Sequence, residues 1–223
     1  MIRQQYQRVH EQVVEAAIKA GRKPEEVQLM TVTKTRELAQ IREAMEAGAM
    51  LLGENRVQEL AEKRPQLPNC EMHMIGHLQS NKVQKAVQHA DMIQSVDSVR
   101  IAQEISKACV SQGKAMPVLL EVNIGRDEAK FGFLPEQVDE ALAEIAKLPG
   151  ILVHGLMTIP PFLDEKARTK QFFSQLYKLF IDIRGKKMDN ICMDVLSMGM
   201  SDDFELAIAE GSTLVRVGSA IFR

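Results

Sequence analysis

The chain has 223 residues, of which 45% are hydrophobic and 26% are charged, a composition typical of a globular fold. Its formal net charge is −2, so no global electrostatic field favours nucleic acid or an anionic membrane. The three cysteines, Cys70, Cys109 and Cys192, lie far apart without a Cys-x-x-Cys pair, which argues against a disulfide framework and a zinc site.

The N-terminal segment is amphipathic, with Val9, Val13 and Ala17 at helical spacing, and it lacks the apolar core of a signal peptide. No apolar run approaches the roughly 20 residues that are needed to cross a bilayer. We therefore predict a cytoplasmic protein that has neither nucleic acid nor a membrane as a partner. Its residues 1–21 should form a helix that precedes the main fold.

Strand-like and helical segments alternate along the rest of the chain. The strand-like runs cover residues 28–34, 50–54, 71–77, 91–97, 117–123, 151–158, 192–199 and 213–221. Between them, apolar residues recur at helical spacing, as Leu38, Ile41 and Met45 do in the first interval. Pro135 lies where a first-turn proline belongs, and Ser201 is placed to begin the last of these helices.

The strict alternation predicts a parallel sheet in an α/β fold. Eight strand–helix units in about 200 residues favour one (β/α)8 barrel of the TIM type. Residues 1–223 would then form a single domain. The alternative is a doubly wound open sheet, but the glycine-rich Gly-x-Gly-x-x-Gly that would favour it after the first strand is absent.

Chemistry in such a barrel takes place at the carboxyl ends of the strands. The polar set expected there contains one candidate nucleophile, one histidine and a late cluster of serine and glycine. Its members are Lys34, Glu54, Asn55, His77, Asp97, Asn123, Met157, Thr158, the segment 197–201 and the segment 216–219.

Lys34 is the candidate nucleophile, because it follows the first strand and its amine could form a Schiff base with an aldehyde. A lysine amine reacts well only when burial or a nearby cation lowers its pKa. Arg216 would supply such a cation, since the last strand neighbours the first once the barrel closes. The alternative is an ordinary surface lysine after a strand.

The segment Ser-Met-Gly-Met-Ser-Asp-Asp at 197–203 indicates a phosphate site, because backbone N–H groups at a helix start bind phosphate. In barrels the usual phosphate site follows the seventh and eighth strands. Gly218 and Ser219 would complete it from the eighth. The alternative is an ordinary helix start, and Asp202 and Asp203 would repel a phosphate unless they point outward.

His73 and His77 are four residues apart, a spacing that suits metal ligands on a helix. This segment has a strand-and-turn pattern without an evident carboxylate partner, so we predict no metal site and interpret His73 as a packing residue. Gly76 indicates a close approach of two backbones.

Seven segments are more specific than these single residues. They are Val-Thr-Lys-Thr at 32–35, Gly-Glu-Asn-Arg-Val-Gln-Glu at 53–59, Ile-Gly-His-Leu-Gln-Ser-Asn-Lys at 75–82, Val-Asn-Ile at 122–124 with Lys130 and Gly132, Gly-Leu-Met-Thr-Ile-Pro at 155–160, Leu-Ser-Met-Gly-Met-Ser-Asp-Asp at 196–203 and Val-Arg-Val-Gly-Ser-Ala-Ile-Phe at 215–222. In this order, over nearly the whole chain, they resemble the pyridoxal-phosphate homeostasis protein family. That family is related to the N-terminal domain of alanine racemase.

The resemblance implies a barrel that holds pyridoxal 5'-phosphate (PLP) covalently, as an internal aldimine. Lys34 matches the Schiff-base lysine, and Arg216 matches the arginine that faces the pyridine nitrogen. The positions that match phosphate-binding and pocket-lining residues are Ser201, Gly218, Ser219, Asn55 and Met157.

The resemblance also implies a PLP carrier and buffer in vitamin B6 and amino-acid homeostasis, with free amino acids and apo PLP enzymes as further partners. Because the dimerising domain of alanine racemases has no counterpart in this sequence, we expect a monomer. The main alternative is a PLP-dependent amino-acid racemase. Racemisation needs acid/base groups on both faces of the substrate, and the domain that supplies one of them in alanine racemases has no counterpart after Phe222. We therefore predict no enzyme activity. A Schiff-base aldolase and an interaction module with a vestigial site are the remaining alternatives.

Overall fold

The computed structural model of the protein describes residues 1–161, 165–186 and 188–223. Eight parallel strands close into a barrel in chain order, and β8 pairs with β1. The strands are β1 Gln28–Val32, β2 Leu51–Glu54, β3 Glu71–Met74, β4 Met92–Val96, β5 Met116–Glu121, β6 Ile151–Met157, β7 Ile191–Ser197 and β8 Leu214–Val217. The helices are α1 Ile2–Lys19, α2 Leu38–Glu46, α3 Val57–Lys63, α4 Val83–His89, α5 Val99–Gln112, α6 Val138–Ile145, α7 Lys166–Arg184, α8 Phe204–Ala209 and α9 Ser219–Phe222. The predicted (β/α)8 barrel with an extra N-terminal helix is confirmed.

Seven of the eight predicted strands extend one to four residues past the observed strand ends, most of all at β8. The strand predicted over 213–221 ends at Val217, because Gly218 leaves the extended conformation and its carbonyl accepts hydrogen bonds from the N–H groups of Ile221 and Phe222. Ser201 does not begin α8 either. The helix begins at Phe204, after a turn in which the Asp203 carboxylate accepts from the Met200 N–H at 2.6 Å.

The apolar core has two layers, one between the strands and the helices and one inside the barrel. Leu52, Ile93 and Phe173 are fully buried in the outer layer. The interior clusters consist of Met30, Ile75 and Leu214 on one side and Met92, Leu119 and Met157 on the other. Because side chains alternate along a strand, the inward positions of β1 are Met30 and Val32, and the next position of that series is Lys34.

Helix α1 lies outside the barrel against α2, α8 and α9, the helices that flank the junction of β8 with β1. Its buried stripe includes Val9, Val13 and Ala17, and the Tyr6 hydroxyl donates to the Gly48 carbonyl at 3.0 Å. The helix therefore braces the barrel at the junction of β8 with β1. Within the described residues, no helix is both long enough and apolar enough to cross a membrane.

Candidate functional site

Arg216 lies inside the barrel at the junction of β8 with β1, opposite Met30 in the strand register. Its side chain is only 3% exposed. One terminal nitrogen donates to Ser197 Oγ at 2.6 Å and the other to the Thr158 carbonyl at 2.8 Å. Nε has no acceptor among the described residues. Burial lowers the pKa of Arg216 to about 10, against the opposing effect of Glu121 and Asp203, so the guanidinium stays charged at neutral pH.

Glu121 ends β5 and is buried near this guanidinium. Burial, followed by the charge of Asp97, raises the pKa of its carboxyl to about 7 against the opposing effects of Arg216 and Lys130. The mouth of the barrel thus contains a carboxyl group that changes charge near neutral pH. Sequence analysis missed it, although Glu121 shares the strand parity of Asn123, which was expected at the mouth.

His77 follows β3 at the rim of the mouth, and it does have a carboxylate partner, contrary to the sequence-based expectation. Its Nδ1 lies 2.8 Å from Asp97 Oδ2, and its ring stacks on Phe131 with centroids 3.6 Å apart. Lys130, next to Phe131, donates to the carbonyls of Ile159 and Pro160 at 3.1 and 2.7 Å. The segment after β5 therefore links the loops that follow β3 and β6. No group of three His, Cys, Asp or Glu residues in the described part of the chain suits a metal ion.

Lys34 lies in a turn two residues after β1, and its side chain is exposed. The preceding residue, Thr33, points away from the interior, because its hydroxyl donates to Glu54 Oε1 at 2.5 Å. Thr35 has a positive φ of 59°, which begins the turn toward α2. Lys34 therefore belongs to the inward series of Met30 and Val32.

A buried lysine fixes the backbone on both sides of Lys34. Lys63 Nζ donates to the Thr33 carbonyl at 2.8 Å, to Glu54 Oε1 at 2.7 Å and to Glu59 Oε2 at 3.0 Å. The same Glu59 oxygen accepts from the Thr35 N–H at 2.7 Å. Sequence analysis missed Lys63, because helical spacing does not reveal which lysine turns inward.

The prediction that Glu54 lies at the mouth is wrong. Its side chain is fully buried and faces α3, where Lys63 pairs with Oε1. The other oxygen, Oε2, has no hydrogen-bond partner among the described residues. Burial raises the pKa of Glu54, and the hydrogen bond from Lys63 opposes that shift.

The three predicted phosphate-binding residues lie on two neighbouring loops. Ser201 is half-buried in the turn before α8, where no backbone carbonyl of the described residues accepts from its N–H or from that of Asp202. Gly218 and Ser219 follow β8. A Cβ at Gly218 would lie 3.1 Å from both Cβ and the carbonyl oxygen of Val32, so glycine there lets β8 approach β1 closely. Asp202 is exposed, while burial raises the pKa of Asp203.

The remaining two predicted residues lie on opposite sides of the ring of strands. Asn55 follows β2 and is half-buried, and a side chain at Gly76 would clash with the Asn55 carbonyl oxygen, which confirms the predicted close approach of two backbones. Met157 ends β6 and is fully buried in the interior. Lys34, Arg216, Gly218 and the turn at Ser201 thus belong to the neighbouring strands β1, β8 and β7 and the loops after them. Asn55 follows β2 on the other side of β1, and Met157 ends β6 beside β7.

Two clefts on the surface differ in their relation to this group. One of about 560 Å³ is lined by Asn55, Arg56 and His77, so it adjoins the mouth. Another of about 790 Å³ is lined by Gln28, Thr213 and residues of α7 and α8. It lies at the amino ends of the strands, the end of a barrel where residues serve stability. We therefore place the candidate site at the mouth.

Comparison with known proteins agrees with the resemblance in the motifs. Residues 7–223 match the alanine racemase N-terminal domain family. A pyridoxal phosphate homeostasis protein of Pseudomonas aeruginosa is 38% identical over 217 residues, which cover 96% of this chain and 92% of that protein. The chain belongs to the pyridoxal phosphate homeostasis protein family.

Two solved structures of similar length share the fold of this chain. A crystal structure of an unknown protein from Bifidobacterium adolescentis has a TM-score of 0.95 at 38% identity, covering 99% of this chain and 94% of that one. The structure of PipY from Synechococcus elongatus PCC7942 with PLP bound has a TM-score of 0.83 at 35% identity, covering 95% of this chain and 100% of that one. The homeostasis family fold therefore extends over almost the whole chain.

Proposed function

We propose that this protein binds PLP at the carboxyl end of its barrel and holds it covalently through Lys34. The observation that carries the proposal is Arg216, a buried cation inside the barrel whose Nε has no acceptor among the described residues. A guanidinium N–H without an acceptor suits an aromatic nitrogen that accepts one hydrogen bond. The PLP-bound structure of the related PipY supports the same ligand.

Each proposed contact follows from the position of the residue. Lys34 supplies the amine, which condenses with the PLP aldehyde to a Schiff base and releases water. The half-buried turns at Ser201 and at Gly218–Ser219 supply hydroxyl and N–H donors for the phosphate. Asn55 and Met157 line the pocket, Met157 as part of its apolar wall.

The nature of Arg216 supports storage of PLP over broad PLP chemistry. When bound, PLP stabilises carbanions best with a protonated ring nitrogen. A guanidinium only donates hydrogen bonds, so it favours the neutral ring. We infer that the protein is a carrier and buffer in PLP homeostasis, not an enzyme, and that free amino acids and apo PLP enzymes take PLP from it. A monomeric state is part of the same proposal.

One observation favours a second candidate, a racemase-like activity. Glu121 is a mouth carboxyl whose pKa of about 7 suits a general acid or base. With Lys34 it would provide two groups for proton transfer at a bound amino acid. We expect the purified, PLP-loaded protein to exchange the α-hydrogen of alanine with deuterated water no faster than free PLP. Faster exchange that Glu121→Gln abolishes would establish the activity instead.

Absorbance tests the main proposal. We expect purified protein with added PLP to show a band near about 420 nm that borohydride abolishes, and Lys34→Ala to lack it. Lys19→Ala is a matched control, because Lys19 is exposed at the end of α1, far from the mouth. Absence of the band from the unmutated protein, or its persistence in Lys34→Ala, would contradict attachment at Lys34.

A further inference from the structure

A continuous chain of hydrogen bonds crosses the barrel interior from Arg216 on β8 to Glu71 on β3. Arg216 donates to Ser197 Oγ at 2.6 Å, and Ser197 donates to Gln94 Oε1 at 2.7 Å. Gln94 Nε2 lies 2.8 Å from His73 Nδ1, and His73 Nε2 lies 2.7 Å from Glu71 Oε1. Four strands, β8, β7, β4 and β3, thus contribute one or two residues each to a single connected chain.

This chain is buried over nearly its whole length. Ser197 and Gln94 are fully buried and His73 is 2% exposed, while Glu71 opens to solvent at the amino end of β3. The rest of the interior consists largely of apolar side chains, in which an unpaired polar group is costly. The three interior polar side chains, Ser197, Gln94 and His73, each bond to a partner on both sides. The chain is therefore a fully hydrogen-bonded part of the barrel interior.

The direction of every bond follows from Arg216. A guanidinium only donates, so Ser197 Oγ accepts a hydrogen bond from it. The Ser197 hydroxyl in turn donates a hydrogen bond to Gln94 Oε1. The amide of Gln94 then presents its NH2 group to His73 Nδ1. His73 consequently carries its proton on Nε2 and donates to Glu71. The chain runs in one direction from a cation to a carboxylate, and no member can reverse alone without a clash of two donors.

Two carboxylates influence Arg216 without touching it. The charges of Glu121 and Asp203 both act on its guanidinium, whose hydrogen bonds within the described residues go to Ser197 and Thr158. A guanidinium bound to a carboxylate makes shorter and stronger hydrogen bonds than one bound to neutral acceptors. The bonds to a serine hydroxyl and a backbone carbonyl thus fix the guanidinium at a distance from both carboxylates.

We propose that Ser197, Gln94 and His73 are positioning residues, which hold Arg216 away from Glu121 and keep its Nε aimed at the PLP ring nitrogen. This inference rests on the proposed function, since it concerns the same cofactor. Without the chain, Arg216 turns toward Glu121, and the ring nitrogen loses its donor.

Gln94→Leu tests the proposal, because leucine keeps the approximate volume of glutamine and removes both of its hydrogen bonds. We expect the dissociation constant of PLP to rise about three- to tenfold and the absorbance maximum of bound PLP to shift. Ser197→Ala, which removes one oxygen at the next link, should shift both in the same direction. Thr31→Val is the control, since it removes a buried hydroxyl that has no partner within the described residues and should change neither.

Repeating Gln94→Leu in the Arg216→Met variant separates a positioning role from a loss of packing. In Arg216→Met, adding Gln94→Leu should cause no further change in PLP affinity or absorbance, because the chain acts through Arg216. Equal effects of Gln94→Leu in both backgrounds, or unchanged affinity and absorbance in folded Gln94→Leu and Ser197→Ala, would overturn the proposal.

A measurement without PLP distinguishes failure of this inference from failure of the proposed function. In the PLP-free protein, nitrogen-15 NMR of the arginine side chains should show one guanidinium with slowly exchanging terminal N–H groups, assigned to Arg216 by Arg216→Met. That signal should broaden or disappear in Ser197→Ala. If the signal is identical in Ser197→Ala, the chain does not hold Arg216, whether or not the protein binds PLP.

Discussion

Glu121 is a residue whose charge near neutral pH depends on its surroundings. Its carboxyl is buried beside Asp97, and the resulting pKa of about 7 is above the usual value of 4.5. A carboxyl with a raised pKa binds its proton more tightly in the folded than in the unfolded state. Glu121 therefore lowers the free energy of unfolding as the pH rises from about 4.5 through 7, and its unfavourable effect is complete above that range.

Glu121→Gln should remove this pH dependence. We expect the variant and the unmutated protein to differ little near pH 5, whereas at pH 8 the variant should be more stable by about 1–3 kcal/mol. Urea unfolding at the two pH values measures the difference. If the difference in the free energy of unfolding between the two proteins is the same at both pH values, the Glu121 carboxyl does not titrate between them.

Single residues also show where sequence patterns stop being informative. The position of Lys34 after β1 and the closeness of Arg216 to that strand follow from counting strands, and the register of Met30 with Arg216 agrees with the prediction. Ser197 and Gln94 bond to each other across 103 positions of sequence. Ser197 was expected in the phosphate-binding segment at the mouth, and Gln94 looks like an ordinary polar residue in a strand. Their connection emerges only when the barrel closes.

At the scale of elements, Lys63 links α3 to β1 and β2 through buried polar contacts. Lys63 is buried, and its amine is shared among the Thr33 carbonyl, Glu54 and Glu59. Removing one partner of a buried pair leaves the other charge without compensation, and this costs more than the pair itself contributes. Because the same contacts fix the turn around Lys34, the strength of this ion pair matters for the site.

Lys63→Met should therefore lower the free energy of unfolding by about 3–5 kcal/mol, since it strands the Glu54 carboxylate in the interior. Adding Glu54→Gln should recover a substantial part of the loss. Lys107→Met, which breaks only an exposed pair with Glu104, should change stability by less than about 1 kcal/mol. Chemical denaturation of the four proteins tests this, and an equal effect at Lys63 and Lys107 would contradict a buried ion pair at α3.

The end of β8 and the start of α8 were predicted wrongly for two different physical reasons. The apolar pattern of Leu214–Val217 continues through Ala220 and Ile221, so the sequence alone favours a longer strand. Gly218 bends the chain there, because it has no Cβ to prevent close contact with Val32. Before α8, the competition between Ser201 and Asp203 for the helix start depends on where the Met200 N–H points, which local propensity does not specify.

At the scale of the whole molecule, the alternation of patterns was sufficient to predict the barrel, because eight strand–helix units leave few other arrangements. The polar contents of the barrel were less predictable. Met30, Ile75 and Met92 fill the interior as expected of apolar strand residues, but the charged groups at the mouth come from strands and loops remote in sequence. Glu121, Asp97 and Arg216 influence one another only after closure.

The central claim is that Lys34 is the residue to which PLP becomes attached. The most direct measurement is to incubate the protein with PLP, reduce with borohydride, digest with a protease and map the modified peptide by mass spectrometry. The account predicts one pyridoxyl phosphate per chain, on Lys34, with Lys130 and the other lysines unmodified. Attachment spread over several lysines, or a main adduct at a residue other than Lys34, would contradict it.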